Sequence, residues 1–220
     1  MKNIFQCFLL LLFFTGTASS FAEEIKVAAN VRRPIIFGFP QTGKTVPYLT
    51  YLDDGFYEMG NPVKPRFTAG TGTEVGTVID NATGLMWEQK TDDNTIHDYN
   101  NPKTSNPTSL YTWADAFDVF LKGLNTANFA GHNDWRIPNV NELQSIVNYG
   151  AVEPSIYSIF NTPPYYTRPS NPTSFYWTST TRADDSSIAW WVDFHDGDVW
   201  IHDNDKTANW FPVRAVRGPD

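Results

Sequence analysis

The sequence predicts an α+β fold in which two helices pack on small twisted antiparallel sheets with long loops. Helical periodicity occurs in only two places along the chain. Short alternating segments separated by turn residues indicate antiparallel strands elsewhere. The 220 residues include 14 glycines and 15 prolines, which favours turns and loops over long helices. This length suffices for one large domain or one domain with an extension.

The first 22 residues have the features of an export signal. Lys2 is a basic start, residues 4–14 form an apolar stretch, and Ser20 and Ala22 are small residues at a cleavage site. We therefore expect a signal peptide at residues 1–22, an extended lead-in at residues 23–66 and a folded domain at residues 67–220. The expected location is the periplasm or the extracellular space, with no transmembrane segment left after cleavage.

Composition excludes several classes of function. The single cysteine, Cys7, lies within the expected signal, so the mature chain would have no disulfide, thiol nucleophile or cysteine–zinc site. Lys2 is the only charged residue removed, which leaves 15 basic and 24 acidic residues. This negative surface opposes nucleic acid, anionic lipid and sulfated polymers as long-range partners.

Two segments carry helical signals. The first follows Thr112 as N-cap and places its apolar residues on one side: Trp113, Ala116, Phe117, Phe120, Leu121 and Leu124. The second follows Pro138, where Asn139 and Glu142 have the spacing of a capping box. Just before it, we expect Trp135 in the core and Arg136 paired with a carboxylate.

Strands are expected on both sides of these helices. Residues 77–87 predict two strands around an Asn-centred turn, and the other strand-like segments are residues 48–52, 175–180 and 211–217. We expect Arg214 and Arg217 on the last of these to be buried partners of acidic residues. Residues 92–107 and 154–172 are rich in Pro or polar residues and predict loops.

The main candidate site is a hairpin at residues 188–203. Asp196-Gly197 between alternating segments predicts a two-residue turn, which would pair His195 with Asp198, Asp193 with Trp200 and Trp191 with His202. One face would then be apolar. The other would carry the predicted ligand-binding residues, which are Trp191, Asp193, His195, Asp198, Trp200 and His202. Exposed tryptophans beside titratable groups favour a binding surface, although neighbouring loops or an oligomer partner would also account for them.

A calcium site is the one cofactor alternative, since no cofactor is otherwise expected. Asp203 and Asp205 alternate as in a calcium loop, but Ala208 and Arg214 stand where a helix–loop–helix site requires Gly and Glu. An irregular site that adds Asp184 and Asp185 stays open. Zinc at His195 and His202 is disfavoured because the predicted register separates these two residues.

Five ordered motifs resemble a known family. They are DDGFYEMG at residues 53–60, VIDNATGLMW at 78–87, NDWRIPNVNELQSIV at 133–147, YWTSTT at 176–181, and VDFHDGDV with a closing VRAVRG at 213–218. Together they resemble the domain at the C-terminus of the Legionella collagen-like protein, which also occurs in many exported bacterial proteins of unknown function. The resemblance implies a C-type lectin-like fold of the branch that includes formylglycine-generating enzymes. The catalytic cysteines of that branch are absent here.

From these features we expect an exported, non-enzymatic recognition domain with no catalytic residues. Its expected partner is a glycan or a cell-surface ligand, as for an adhesin. The family's best-known member binds sulfated glycans, which the acidic charge of this chain disfavours. Two alternatives stay open: an envelope assembly protein that forms a homo-oligomer through the same aromatic face, and an uncharacterised hydrolase.

Overall fold

The computed structural model describes residues 39–91, 93, 95–98, 110–160, 174–201, 205–208 and 211–219. They belong to a compact unit that runs from Ile35 to Asp220. The predicted signal peptide, His202 and Asp203 lie outside the described residues, as do most of the predicted first loop and residues 161–172 of the second. None of the helices in the described ranges has the length and apolar character needed to cross a membrane.

The first sheet has four antiparallel strands in the order β1-β2-β3-β7. They are β1 (Phe67–Ala69), β2 (Thr77–Asp80), β3 (Met86–Glu88) and β7 (Val216–Arg217). The predicted strand–turn–strand of residues 77–87 is confirmed. In its turn, the amide nitrogen of Ala82 donates to Oδ1 of Asp80 at 2.9 Å, and Gly84 has a φ of 76°.

The second sheet carries the hairpin and has the order β4-β5-β6, again antiparallel. Its strands are β4 (Phe175–Thr181), β5 (Ala189–Asp193) and β6 (Val199–Trp200). The predicted strand at residues 175–180 is therefore confirmed. Because β5 lies between the other two strands, β6 is an edge strand.

Both predicted helical segments are present. Thr112 caps the first, which runs through α2 (Trp113–Asp115), a π-helical stretch (Ala116–Leu121) and α3 (Lys122–Thr126), and turns Phe120 and Leu124 into the core. The second is α4 (Val140–Ser145), whose capping box is formed as predicted between Asn139 and Glu142. Short 3₁₀ turns occur at Gly72–Glu74, Phe129–Gly131 and Ser158–Phe160.

Two apolar clusters form the core, and the strands of both sheets contribute to each. Tyr176 and Val192 of the second sheet belong to the first cluster, together with Trp87 and Leu143. On the other face of the same sheet, a second cluster includes Trp177, Trp191 and Phe211. Strand β5 is therefore covered on both faces. The α+β class with small antiparallel sheets is confirmed.

The chain before β1 is folded against the domain. Its helix α1 (Asp54–Tyr57) begins at Asp53, whose side chain accepts a hydrogen bond from the amide of Phe56. The carbonyl of Thr42 accepts from the amide of Tyr149 at 2.9 Å, which fixes the segment to the loop after α4. The strand expected at residues 48–52 is wrong, because the amide of Tyr51 bonds to the carbonyl of Tyr48 in a turn. The predicted domain boundary at residue 67 stays a prediction.

The last predicted strand is shorter than expected. Only Val216–Arg217 pairs with β3, while Phe211 forms an isolated bridge with Tyr111. Arg217 binds Asp134 at 2.8 Å, as predicted for a partner of an acidic residue. Arg214 is fully buried, and its Nη1 donates hydrogen bonds to the backbone carbonyls of Glu88 and Phe160 at 2.7 and 3.2 Å.

Candidate functional site

The hairpin is connected by a loop of four residues rather than two. The amide of Asp193 donates to the carbonyl of Asp198 at 2.8 Å, and the amide of Gly197 donates to the carbonyl of Asp193 at 2.9 Å. Trp191 therefore pairs with Trp200, and Val192 with Val199. The predicted two-residue turn and its pairs, including His195 with Asp198, are wrong. Residues 194–197 form the loop instead.

The physical reason is the packing of this loop. The carbonyls of Phe194 and His195 accept hydrogen bonds from the amides of Ser155 and Glu153 at 2.7 and 2.8 Å. Phe194 is buried in the first cluster. Gly197 has a φ of 93° and lies so close to Val147 that an added Cβ would be 2.8 Å from its Cγ1 atom. Contacts with a distant segment therefore set the register.

Trp191 does not face solvent, so the expected aromatic pair is not exposed as a pair. Its indole packs on Phe175 at 4.3 Å between ring centroids and on Phe211 at 6.0 Å. Only 9% of the residue is accessible. The prediction of an open face fails here because β5 is a central strand, and the second cluster covers the face that the alternating pattern assigned to water.

Asp193 lies on the same face and is also buried. Its Oδ1 accepts a hydrogen bond from the amide of His195 at 2.8 Å, which holds the start of the loop. Burial raises the pKa of Asp193, against the opposing effect of the His195 amide and Ser174 hydrogen bonds. This carboxylate is thus a loop cap, and the expectation that it lies on an exposed face is wrong.

Trp200 and Asp198 keep the exposure that the sequence predicted. Trp200 is 47% accessible on edge strand β6. Its indole Nε1 donates to Oδ2 of Asp198 at 2.8 Å. The backbone amide of Asp198 in turn donates to Oδ1 of Asp196 at 3.1 Å. A half-exposed indole is therefore fixed in orientation by a carboxylate beside it.

His195 contributes a second polar feature at the end of the hairpin. Its Nε2 lies 3.7 Å from Oε1 of Glu153, and the two side chains are 27% and 62% accessible. Sequence reasoning did not predict Glu153 as a neighbour, since 42 residues separate the two positions. The docking of the loop on residues 153–155 brings them together. His202 lies outside the described residues.

The calcium candidates are distributed over two neighbouring loops. Ile188 forms a bridge with Asp205, so the loops do meet. However, Asp184 is paired with Arg182, while Asp185 and Asp205 accept hydrogen bonds from Ser187 and Thr207 in their own turns. The described residues contain no group of three or more His, Cys, Asp or Glu side chains arranged to hold a metal.

A buried ionic network lies away from the hairpin, and the sequence analysis missed it. Lys90 Nζ and His97 Nδ1 lie 2.9 and 3.0 Å from Oε1 of Glu88, which is fully buried. Burial raises the pKa of Glu88, but Lys90 and His97 outweigh this effect and the net shift is downward. Burial also lowers the pKa of Lys90. The pKa of the nearby Tyr111 is raised to about 12 by its own burial and by the negative charges of Glu88 and Asp115. Glu88 at the end of β3 and Lys90 two residues later are both charged, and their sequence pattern gave no signal for burial.

These features define a small α+β domain of two antiparallel sheets with a fixed aromatic residue on an edge strand. The family model of the Lcl C-terminal domain matches residues 76–217, from just before β2 to the end of β7, and the chain belongs to this family. The resemblance stated from the five motifs is thereby confirmed. Neither the curated proteins nor the solved structures contain a match to the chain.

Proposed function

We propose that this protein is a non-enzymatic recognition domain that binds a glycan of a cell surface at the edge of its hairpin. The observation that carries the proposal is the half-exposed Trp200, held by Asp198 through a hydrogen bond of 2.8 Å. An indole with a fixed ring plane is suited to stack on the apolar face of a sugar. The adjacent carboxylates, Asp196 and Asp198, are exposed acceptors for sugar hydroxyls.

The rigidity of the hairpin end, residues 193–200, supports ligand binding. Asp193 caps the loop from within, and the loop carbonyls of Phe194 and His195 are hydrogen-bonded to residues 153–155. A preorganised surface loses less conformational entropy when a ligand binds. The buried Trp191 is paired with Trp200 on the neighbouring strand, so the two side chains share one face of the sheet, and Trp191 packs there on Phe175. In this proposal its role is structural rather than direct contact.

The charged residues around Trp200 favour uncharged or amino sugars as ligands. Asp196, Asp198 and Glu153 are acidic and exposed, and the chain has a net charge of −8. The sulfate groups of a sulfated glycan would be repelled by these three carboxylates. Neutral hydroxyls and ammonium groups can instead donate to these oxygens.

The finer structural and cellular expectations belong to the same proposal. We assign the chain a C-type lectin-like fold, supported by the two small antiparallel sheets and by the two helical segments that accompany them. We also assign it to the periplasm or the extracellular space, supported by the basic, apolar and small-residue pattern of residues 1–22. A glycan on a cell surface would then be accessible to the protein.

The size of the stacking contribution can be stated. Covering the exposed half of an indole removes about 100 Å² of apolar surface from water, worth about 2–3 kcal/mol. A Trp200→Ala variant should therefore bind its glycan on the order of 10- to 100-fold more weakly. The matched control is Phe39→Ala, because Phe39 is 71% exposed and only its backbone carbonyl bonds to Asn61.

The test is a glycan array of neutral, amino and sulfated glycans, probed with and without calcium, followed by titration of the best binder. We expect binding to a neutral or amino glycan that Trp200→Ala weakens and Phe39→Ala preserves. Equal affinity of wild type and a folded Trp200→Ala variant would refute the site. Binding restricted to sulfated glycans would refute the charge argument.

A further inference from the structure

A second exposed surface lies at the N-terminal side of the domain. The tyrosine loop, defined here as residues 45–52, follows the segment that is fixed to the loop after α4. Its apolar side chains point to solvent, with accessibilities of 66% for Val46, 69% for Tyr48, 73% for Leu49, 62% for Tyr51 and 54% for Leu52. Five large, exposed apolar or aromatic side chains among the eight residues of one loop are unusual for a segment in contact with water.

The area of this surface is large for a monomer. With roughly 150–250 Å² for a whole aromatic side chain and somewhat less for Leu and Val, the exposed part is on the order of 600 Å². This value is at the upper end of the largest apolar patches of monomeric proteins. A standard protein–protein interface buries about 800 Å² on each partner, so the tyrosine loop supplies most of one side.

The tyrosine loop is held in one conformation. The amide of Tyr48 donates to Oδ2 of Asp53 at 2.9 Å, and the amide of Tyr51 donates to the carbonyl of Tyr48 at 3.1 Å. The two tyrosine rings are stacked, with centroids 5.9 Å apart and planes 7° from parallel. At its base, the carbonyl oxygen of Val46 lies so close to Gly55 that a Cβ at this position would clash with it. A partner therefore meets a formed surface rather than a flexible chain.

The loop also contains no charged residue between Lys44 and Asp53, while the chain as a whole is acidic. A twofold contact places the same patch of two copies opposite itself, so an uncharged apolar patch is self-complementary. An anionic membrane is less suitable, because Asp53, Asp54 and Glu58 follow the loop directly. We propose that the tyrosine loop is a dimerisation surface that binds a second copy of this chain, independently of the proposed glycan site.

The experiment is sedimentation velocity of the full chain at about 1–100 μM protein. Wild type should sediment as a species with twice the mass of one chain in the upper part of this range. A Leu49→Asp, Leu52→Asp variant introduces two charges into the contact, and its dissociation constant should rise at least tenfold. The matched control is Val119→Asp, Val152→Asp, whose native side chains are also exposed, at 56% and 64%.

The control variant and Trp200→Ala should both remain dimeric, which separates this surface from the hairpin site. A monomeric wild type at 100 μM would overturn the proposal, as would equal dimerisation of the Leu49/Leu52 variant. A monomer that binds neutral or anionic vesicles through the loop would show that a membrane is the partner instead. Circular dichroism of every variant establishes that it is folded.

Discussion

Replacing Glu88 by Gln should destabilise the fold strongly, although the two side chains have nearly the same size. Glu88 is inaccessible to solvent and binds Lys90, which is 2% exposed, at 2.9 Å. The variant leaves the buried ammonium of Lys90 without its nearest counter-charge. Loss of one partner of a buried ion pair costs about 3–5 kcal/mol. For a domain of this size, that corresponds to a decrease in Tm of about 6–20 °C.

The assay is thermal unfolding followed by circular dichroism at neutral pH. Arg182→Ala is the matched control, because Arg182 and Asp184 form an exposed pair and its loss should leave the Tm within error. A double variant, Glu88→Leu with Lys90→Met, removes both charges and should recover part of the stability. A Glu88→Gln variant that melts within about 2 °C of wild type would refute the role assigned to this network.

Three further measurements test the local arguments. In chemical denaturation, Gly197→Ala should lower the free energy of unfolding by about 2–4 kcal/mol, because the added Cβ clashes with Val147 and the positive φ is strained for alanine. Gly72→Ala, with a φ of 62° and open space around it, should lower this free energy by only about 1 kcal/mol. Equal losses in the two variants would contradict the packing argument. Asn139→Ala removes the cap of α4 and should lower the free energy of unfolding by about 1 kcal/mol, and no change would argue against the capping box. Because the pKa of Glu88 is lowered in the fold, the stability that its ionised form contributes is present above the unfolded pKa of about 4.3 and is lost as the pH falls through the native pKa. As the pH is lowered from about 6 to 3, the urea midpoint should therefore fall more steeply for wild type than for Glu88→Gln. Parallel pH profiles of the two proteins would contradict this sign.

Local signals predicted the elements whose structure depends on neighbouring residues. The cap of α4 needs only Asn139 and Glu142, three positions apart, and both of its hydrogen bonds are formed. The turn between β2 and β3 is likewise determined by Asp80 and the glycine at position 84. Arg136 pairs with Glu142 at 2.7 Å, again within six residues. Such short-range interactions can be identified from sequence alone.

The candidate site was predicted only in part because distant segments determine it. Whether Trp191 faces water depends on Phe175 and Phe211, and no local pattern reveals that β5 is a central strand. Trp200 carries the same kind of signal but lies on the edge strand, so its exposure was predicted correctly. The four-residue loop replaced the expected turn because residues 153–155 bind its carbonyls. These contacts span about 40 residues of sequence.

The proposed glycan site can be tested most directly by NMR of the indole N–H groups during titration with the best binder from the array. The signal of Trp200, identified from its loss in Trp200→Ala, should shift in proportion to saturation. The signal of Trp191, which is buried against Phe175 and Phe211, should move less. A glycan that binds while the Trp200 signal stays unchanged would contradict the account, because its ligand would then contact another part of the molecule.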